Sequence, residues 1–200
     1  MPSGQTHDRI TIWSIPVVAS VTLVATGSGD ITLVVLGGFM FGGLMFGPDL
    51  DIYSRQFQRW GWFRWIWLPY QQSLRHRSFL SHGPIIGTTL RVVYLMVFIA
   101  ATTGLLLLIL AIFSNVSVNW GDIWAKVRQN ISTYAREFFA WFVGCELGAM
   151  SHYLSDWTNS THKRFQKKGV HALLPSSKIR KRKIHSRRSP SSKTKPDKNQ

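Results

Sequence analysis

The stretch "IIGTTLRVVYLMVFIAATTGLLLLILAIF", residues 85–113, decides the fold class. Past Arg91 it runs from 92 to 113, 22 residues without a charge. About 20 mostly apolar residues suffice for a helix to cross a bilayer's hydrocarbon core, so this segment reads as a membrane span. Its upstream flank is odd company for it. "LRHRSFLSHGP", residues 74–84, sets His76 and His82 directly before the span. Either these histidines merely end a helix, or they belong to a site whose other members lie elsewhere.

Further spans appear on both sides. Residues 10–26, "ITIWSIPVVASVTLVAT", are uncharged, and so are residues 31–47, "ITLVVLGGFMFGGLMFG". The turn-like "GSGD" at 27–30 separates them, and Gly42, Gly43 and Gly47 suit close helix approach. Arg9 ahead of the first run, with small residues near "VAS" and "VAT", is also the pattern of a secretory leader. A second apolar run within five residues suits an uncleaved helical hairpin better. Residues 132–153 form a weaker fourth segment carrying Arg136, Glu137 and Glu146. Acids within a membrane usually face a bundle interior. Glu146 lies off the face of His152 and is expected to pair with Arg91 or Arg136. Between the second and third spans, "WGWFRWIWLPY" at 60–70 reads as an interfacial aromatic segment, because rings with a polar edge favour the water–lipid boundary.

Composition splits the 200 residues in two. The mean hydropathy is +0.01 and the pI about 10.7, but residues 161–200 hold 14 of the 24 Lys and Arg and a single acid, Asp197. The expected organisation is therefore an all-α membrane domain, 1–160, with a disordered basic tail, 161–200. Such a tail cannot bury enough apolar surface to order itself. It suits anionic headgroups. A nucleic-acid arm is the other reading, disfavoured by the lack of interleaved aromatics. The lone Cys145 rules out an internal disulfide and reads as a small buried thiol.

Positive charge marks the cytoplasmic side, which places the tail inside and, with four spans, the N-terminus inside as well. Lys126 and Arg128 in the outer connection oppose this but are outweighed by the tail. An up-down-up-down bundle then gathers polar residues at one end: His7 and Asp8, Asp49 and Asp51, His76 and His82, His152 and Asp156. His152 and Asp156 are spaced i, i+4, one helical turn apart. Asp49 and Asp51, in an extended segment after Pro48, would point the same way. Mixed imidazole and carboxylate donors without thiolate suit Zn, with Mn, Fe or Ni as alternatives. So many candidates suit one or two divalent ions, or one ion with outer carboxylates holding the imidazoles. The metal ligands are expected to be His7, Asp49, Asp51, His76, His82, His152 and Asp156, with Asp8 as a catalytic base or orienting group.

With these residues assembled, the chain resembles an uncharacterised, metal-binding family of bacterial membrane proteins. The residues that carry the likeness are Ser3, Gly4, His7, Asp8, Arg9, Ile10 and Thr11, then Asp49 and Asp51, His76, Arg77, Ser81 and His82, and finally His152 and Asp156. They span about residues 3–157 and exclude the tail. More distantly, the order of these Asp and His residues is similar to the LexA-binding, inner-membrane-associated hydrolase-like family. The resemblance implies metal binding and suggests hydrolysis, without naming a substrate.

Two function classes follow. One is a membrane-embedded, metal-dependent hydrolase acting on phosphoester or lipid substrates, with Arg75 or Arg77 for phosphate and Ser78 or Ser81 as hydrogen-bond donors. The other is a non-catalytic metal-binding or ion-handling membrane protein. Only Arg91, Glu137 and Glu146 lie near the spans, which argues against an ion path through them. The oligomeric state is not legible in the sequence.

Overall fold

The computed structural model describes residues 4–74, 78–114 and 118–168. Every regular element among them is helical. Four long helices carry the fold: α1 (Gly4–Thr26), α2 (Gly29–Leu44), α6 (Ile86–Ser114) and α8 (Ala135–Lys168). Short elements sit between them. A 3-10 turn, Pro48–Asp51, and α3 (Arg55–Arg59) precede a second 3-10 turn, Gly61–Trp67, followed by α4 (Leu68–Ser73) and α5 (Phe79–His82). The 14-residue α7 (Trp120–Thr133) links α6 to α8.

Glycine sets the α2–α8 contact. Gly38 and Gly42 lie against the backbone of Trp141 and Cys145, while Gly144 and Gly148 lie against the backbone of Val35, Phe39 and Gly43. A side chain at any of the four would overlap the partner backbone, so each helix carries a small-x-x-x-small face that fits the other. The contacts rise together along both helices, so α2 and α8 run parallel. Helix α1 packs antiparallel on α2, with Gly43 against Thr11 near the start of α1. Gly27, at φ 61°, closes α1 in the left-handed conformation, and the Ser28 hydroxyl caps α2 by accepting from Ile31 N.

The end of α2 is held by side chains. Gln56 Nε2 donates to Gly43 O at 2.9 Å, Arg59 Nη1 to Leu44 O at 2.7 Å and Trp60 Nε1 to Met45 O at 2.9 Å. These satisfy carbonyls that a helix end leaves without intrahelical partners, and they fix where Pro48–Asp51 begins.

The aromatic segment divides rather than lying wholly at the interface. Trp67 is fully buried, with Phe46, Trp60, Tyr70 and Tyr94 ring centroids 5.1–5.6 Å away. Together with Leu50, Phe57 and Ile66 these rings form a core wedged between α2 and α6. Trp62, Phe63 and Trp65 point outward, Trp62 being 94% exposed.

Among the described residues, three helices are long and apolar enough to cross a membrane. The matching windows of the first and third, in Gly4–Thr26 and Ile86–Phe113, are 6% and 0% buried by protein, against 56% for the second, in Gly29–Asp51. The expected fourth segment, 132–153, is broken at Tyr134 and merges into the 34-residue α8, which continues to Lys168. The stretch 114–131, read as a plain connection, holds α7, with Trp120, Trp124, Val127 and Ile131 exposed at helical spacing. Residues 169–200, most of the basic tail, lie outside the described residues.

Candidate metal centre

Four separate stretches deliver polar residues to one end of the bundle. His7 comes from the first turns of α1, Asp49 and Asp51 from the 3-10 turn after α2, His82 from the end of α5, and His152 and Asp156 from α8. The His7 and His152 rings stack with centroids 3.8 Å apart. His7 Nε2 lies 3.4 Å from Asp156 Oδ1, and His152 Nε2 lies 3.2 Å from Asp49 Oδ2. One donor atom each from His7, His152 and Asp156 fits within 4.8 Å of the others. His82 Nε2 stands 3.9 Å from Asp49 Oδ1, and its Nδ1 stands 3.7 Å from Asp51 Oδ2 and 2.7 Å from Ser81 Oγ.

The protein alone does not satisfy this cluster. His7 is 6% and His152 4% exposed. His7 Nδ1, both ring nitrogens of His152 and Asp156 Oδ1 are buried without a hydrogen-bond partner. Burying polar atoms without a partner costs about 1–3 kcal/mol each by mutational measures, and native structures rarely leave several together. Imidazole nitrogens and carboxylate oxygens at these separations are a donor set for Zn, Mn or Fe. The residues therefore fit a divalent ion.

Asp49 and Asp51 reach the site differently from the extended arrangement expected of them. Pro48 at the first position starts a 3-10 turn. Through it Asp49 approaches both His152 and His82, while Asp51, 5% exposed, turns to the other edge of the His82 ring.

Asp8 stands apart from the cluster. Arg59 grips its carboxylate with two nitrogens, at 2.9 and 2.6 Å, and Arg55 adds a contact at 3.2 Å. The pair ties the start of α1 to α3, the helix that also holds the end of α2. His76, Arg75 and Arg77 lie outside the described residues.

Glu146 accepts from Ile85 N at 2.9 Å instead of serving only a neighbouring arginine. Ile85 has φ 65°, a conformation rare for a β-branched residue. The carboxylate thus braces the sharp turn between α5 and α6, three residues past His82. Arg91, fully buried, donates to Ser81 O at 3.1 Å and to Thr88 Oγ1 at 3.0 Å. It fixes α5 from the other side. Neither role was readable from sequence, since Glu146 with Ile85 and Arg91 with Ser81 are contacts between different elements that no spacing rule marks. Burial pushes the Tyr70 phenol up to about 12, against the pull of the Arg91 guanidinium, so it stays neutral beside the site.

The chain matches, over residues 2–166, the family described as "Uncharacterized metal-binding protein (DUF2227)". It belongs to that family. The match takes in every residue of the cluster and stops inside α8, short of most of the basic tail. An uncharacterized protein of Aquifex aeolicus (strain VF5) is 36% identical over 59 residues, 29% of this chain and 41% of the relative. The chain thus spans less than half the length of that relative. No solved structure matches.

Proposed function

We infer that the chain is a membrane-embedded protein that holds a divalent ion at the cytoplasmic end of a four-span bundle, with His7, His152, Asp156 and Asp49 around it. One observation supports this most directly: the buried rings of His7 and His152 and the Asp156 carboxylate, brought together from α1 and α8, face one another with hydrogen-bonding capacity unmet at His7 Nδ1, at both nitrogens of His152 and at Asp156 Oδ1. Helix α8 serves as the fourth span in this reading, its polar residues turned to the interior and to the membrane faces. The outward rings of Trp62, Phe63 and Trp65 sit at headgroup level on the site's side, and the basic tail lies on anionic lipid.

A hydrolytic role extends this reading. A cleft of about 530 Å³, lined by Thr6, Ile10, Ser155, Thr158, Asn159 and His162, opens between α1 and α8. Thr6 and Ser155 are the chain neighbours of His7 and Asp156, so a phosphoester entering there would arrive beside the cluster. Ser155 Oγ, buried without a hydrogen-bond partner, would offer it a donor. A bound divalent ion supplies Lewis acidity and acidifies water toward a pKa of ~7. His7 and His152, stacked and buried, would hold the centre rigid, and Asp8, gripped by Arg59, would anchor the chain that carries His7.

The test is the metal content of the full chain purified in detergent, with a His152→Ala variant alongside. Stoichiometric Zn, Mn or Fe that falls sharply in the variant supports the reading; metal-free protein with native helicity overturns it. Reporter fusions at Gly29, Tyr70, Trp120 and Pro190 should read outside, inside, outside and inside. Turnover on phosphoesters that is lost on chelation separates hydrolysis from metal holding without catalysis.

A further inference from the structure

The geometry points to a second metal position next to the first, with Asp49 as the carboxylate that bridges them. This rests on the metal-binding reading above and goes beyond it. The two oxygens of Asp49 face different imidazoles: Oδ2 stands 3.2 Å from His152 Nε2, and Oδ1 stands 3.9 Å from His82 Nε2. Donor atoms that share one tetrahedral ion at ~2.0–2.2 Å lie about 3.3–3.6 Å apart, so the His152 contact has close to the span of two ligands of one ion and the His82 contact is a few tenths of an ångström wider. On the His152 side, His7 and Asp156 complete a set of nitrogen and oxygen donors, and His152 is 96% buried with no hydrogen bond at either ring nitrogen. On the other side, Asp49 Oδ1 and His82 Nε2 begin a second set.

His82 is arranged to present one nitrogen only. Ser81 Oγ at 2.7 Å and Asp51 Oδ2 at 3.7 Å both stand at Nδ1. With the proton on Nδ1, donated toward Ser81 Oγ and facing the Asp51 carboxylate, the ring would present Nε2 as its ligand atom. Partners of this kind orient ligating histidines in metal sites, and their loss costs about 10–100-fold in affinity. Asp51 is therefore a positioning residue for His82 and Asp49 the bridge. The turn that carries both aspartates is anchored by Gln71, whose Nε2 donates to Leu50 O at 2.9 Å and to Ile52 O at 3.1 Å. Two divalent ions held by these residues would supply Lewis acidity to both the attacking and the leaving oxygen of a phosphoryl displacement. The ligand class that suits such a pair is a phosphate ester or inorganic phosphate.

The experiment is Mn²⁺ titration of the metal-stripped full chain in detergent, read by bound-metal stoichiometry and by electron paramagnetic resonance. Wild type should bind two Mn²⁺ per chain and show the signal of a magnetically coupled pair. His82→Ala should retain one Mn²⁺, with the spectrum of an isolated ion. Asp49→Asn should abolish the coupling. Asp51→Asn should weaken only the second ion, by 10–100-fold, with circular dichroism unchanged. That conservative variant keeps the proposal testable if a ligand variant fails to fold. One Mn²⁺ in wild type, or two without coupling, overturns the bridged pair and leaves the single centre standing. No bound Mn²⁺, Zn²⁺ or Fe²⁺ at all overturns both.

Discussion

Helices α2 and α6 look alike as strings of apolar residues, both in segments long and apolar enough to cross a membrane, yet the fold treats them differently. Helix α2 is pressed backbone to backbone against α8 through Gly38, Gly42, Gly144 and Gly148. Past Phe98, helix α6 is largely bare, with Leu106, Ile112 and Phe113 all exposed and open space around Gly104. It is fastened mainly at its N-terminal end, through the Trp67 cluster, Arg91 and the Glu146-braced turn. The difference teaches what each signal measures. Hydropathy reports a helix's preference for lipid, where apolar surface gains nothing by meeting another helix. Small residues report where two helices can approach closely enough for packing to hold them.

The largest expected effect is at the fastening of α6. Trp67→Ala removes the fully buried ring between Phe46 and Tyr94 and should cost about 3–5 kcal/mol, measured by denaturant unfolding in detergent. Hydrogen exchange in Leu90–Phe98 should rise while α2 stays protected. Equal loosening of both helices would break the distinction.

Gly148→Leu attacks the other side of the comparison. Its side chain would meet the backbone of Phe39 and Gly43, and the expected loss is about 3 kcal/mol, the upper part of the overpacking range. Gly104→Leu in the interior of α6, with nothing within 4 Å, should meet no clash and raise stability by about 0.5–1 kcal/mol, the helix-propensity gain over glycine. The contrast between the two glycines is the sharpest single test.

Metal should tie the two regions together, because His82 leads into α6 while His152 and Asp49 belong to the α2–α8 side. Free ion at 100 times its dissociation constant stabilises the fold by ~2.7 kcal/mol, so chelator should lower the wild-type melting temperature. A His82→Ala, His152→Ala variant should melt low with or without chelator. A chelator response that persists in that variant would move the binding elsewhere.

The smallest effect is at the outer rings. Trp62→Ala, at a site 94% exposed, should shift stability in detergent by less than ~0.5 kcal/mol. It should, however, weaken the blue shift of Trp emission on transfer to bilayers.

Much of this was legible before any coordinates. The uncharged run 92–113 announced α6, and "GSGD" announced the α1–α2 turn. The His152/Asp156 spacing, one helical turn, brought both side chains to the same cluster. What escaped notice shares a cause. Trp62 and Trp67 have the same chemistry and opposite environments, and nothing local distinguishes them. Glu146 looked like an ion-pair partner, because a carboxylate meeting a backbone N–H 61 residues away leaves no mark in either stretch. The Gly144 and Gly148 pair was readable by its spacing, but its meaning depends on α2 presenting a matching face. The stripe on α7 was also present in the residues, masked by an expectation of a plain connection.

The sequence by itself determined that the chain is helical, that α1, α2 and α6 suit a bilayer, and that histidines and aspartates cluster at the helix ends. Those properties depend on side-chain polarity and on the 3.6-residue period, which act within a few residues. Only the tertiary structure decided that Asp49 stands between His152 and His82, that Asp51 and Ser81 share the far edge of one ring, and that Asp8 is held by Arg55 and Arg59. Coordination and ion pairing turn on tenths of an ångström between groups on different helices, and those distances exist only once α2 and α8 have closed on their glycines.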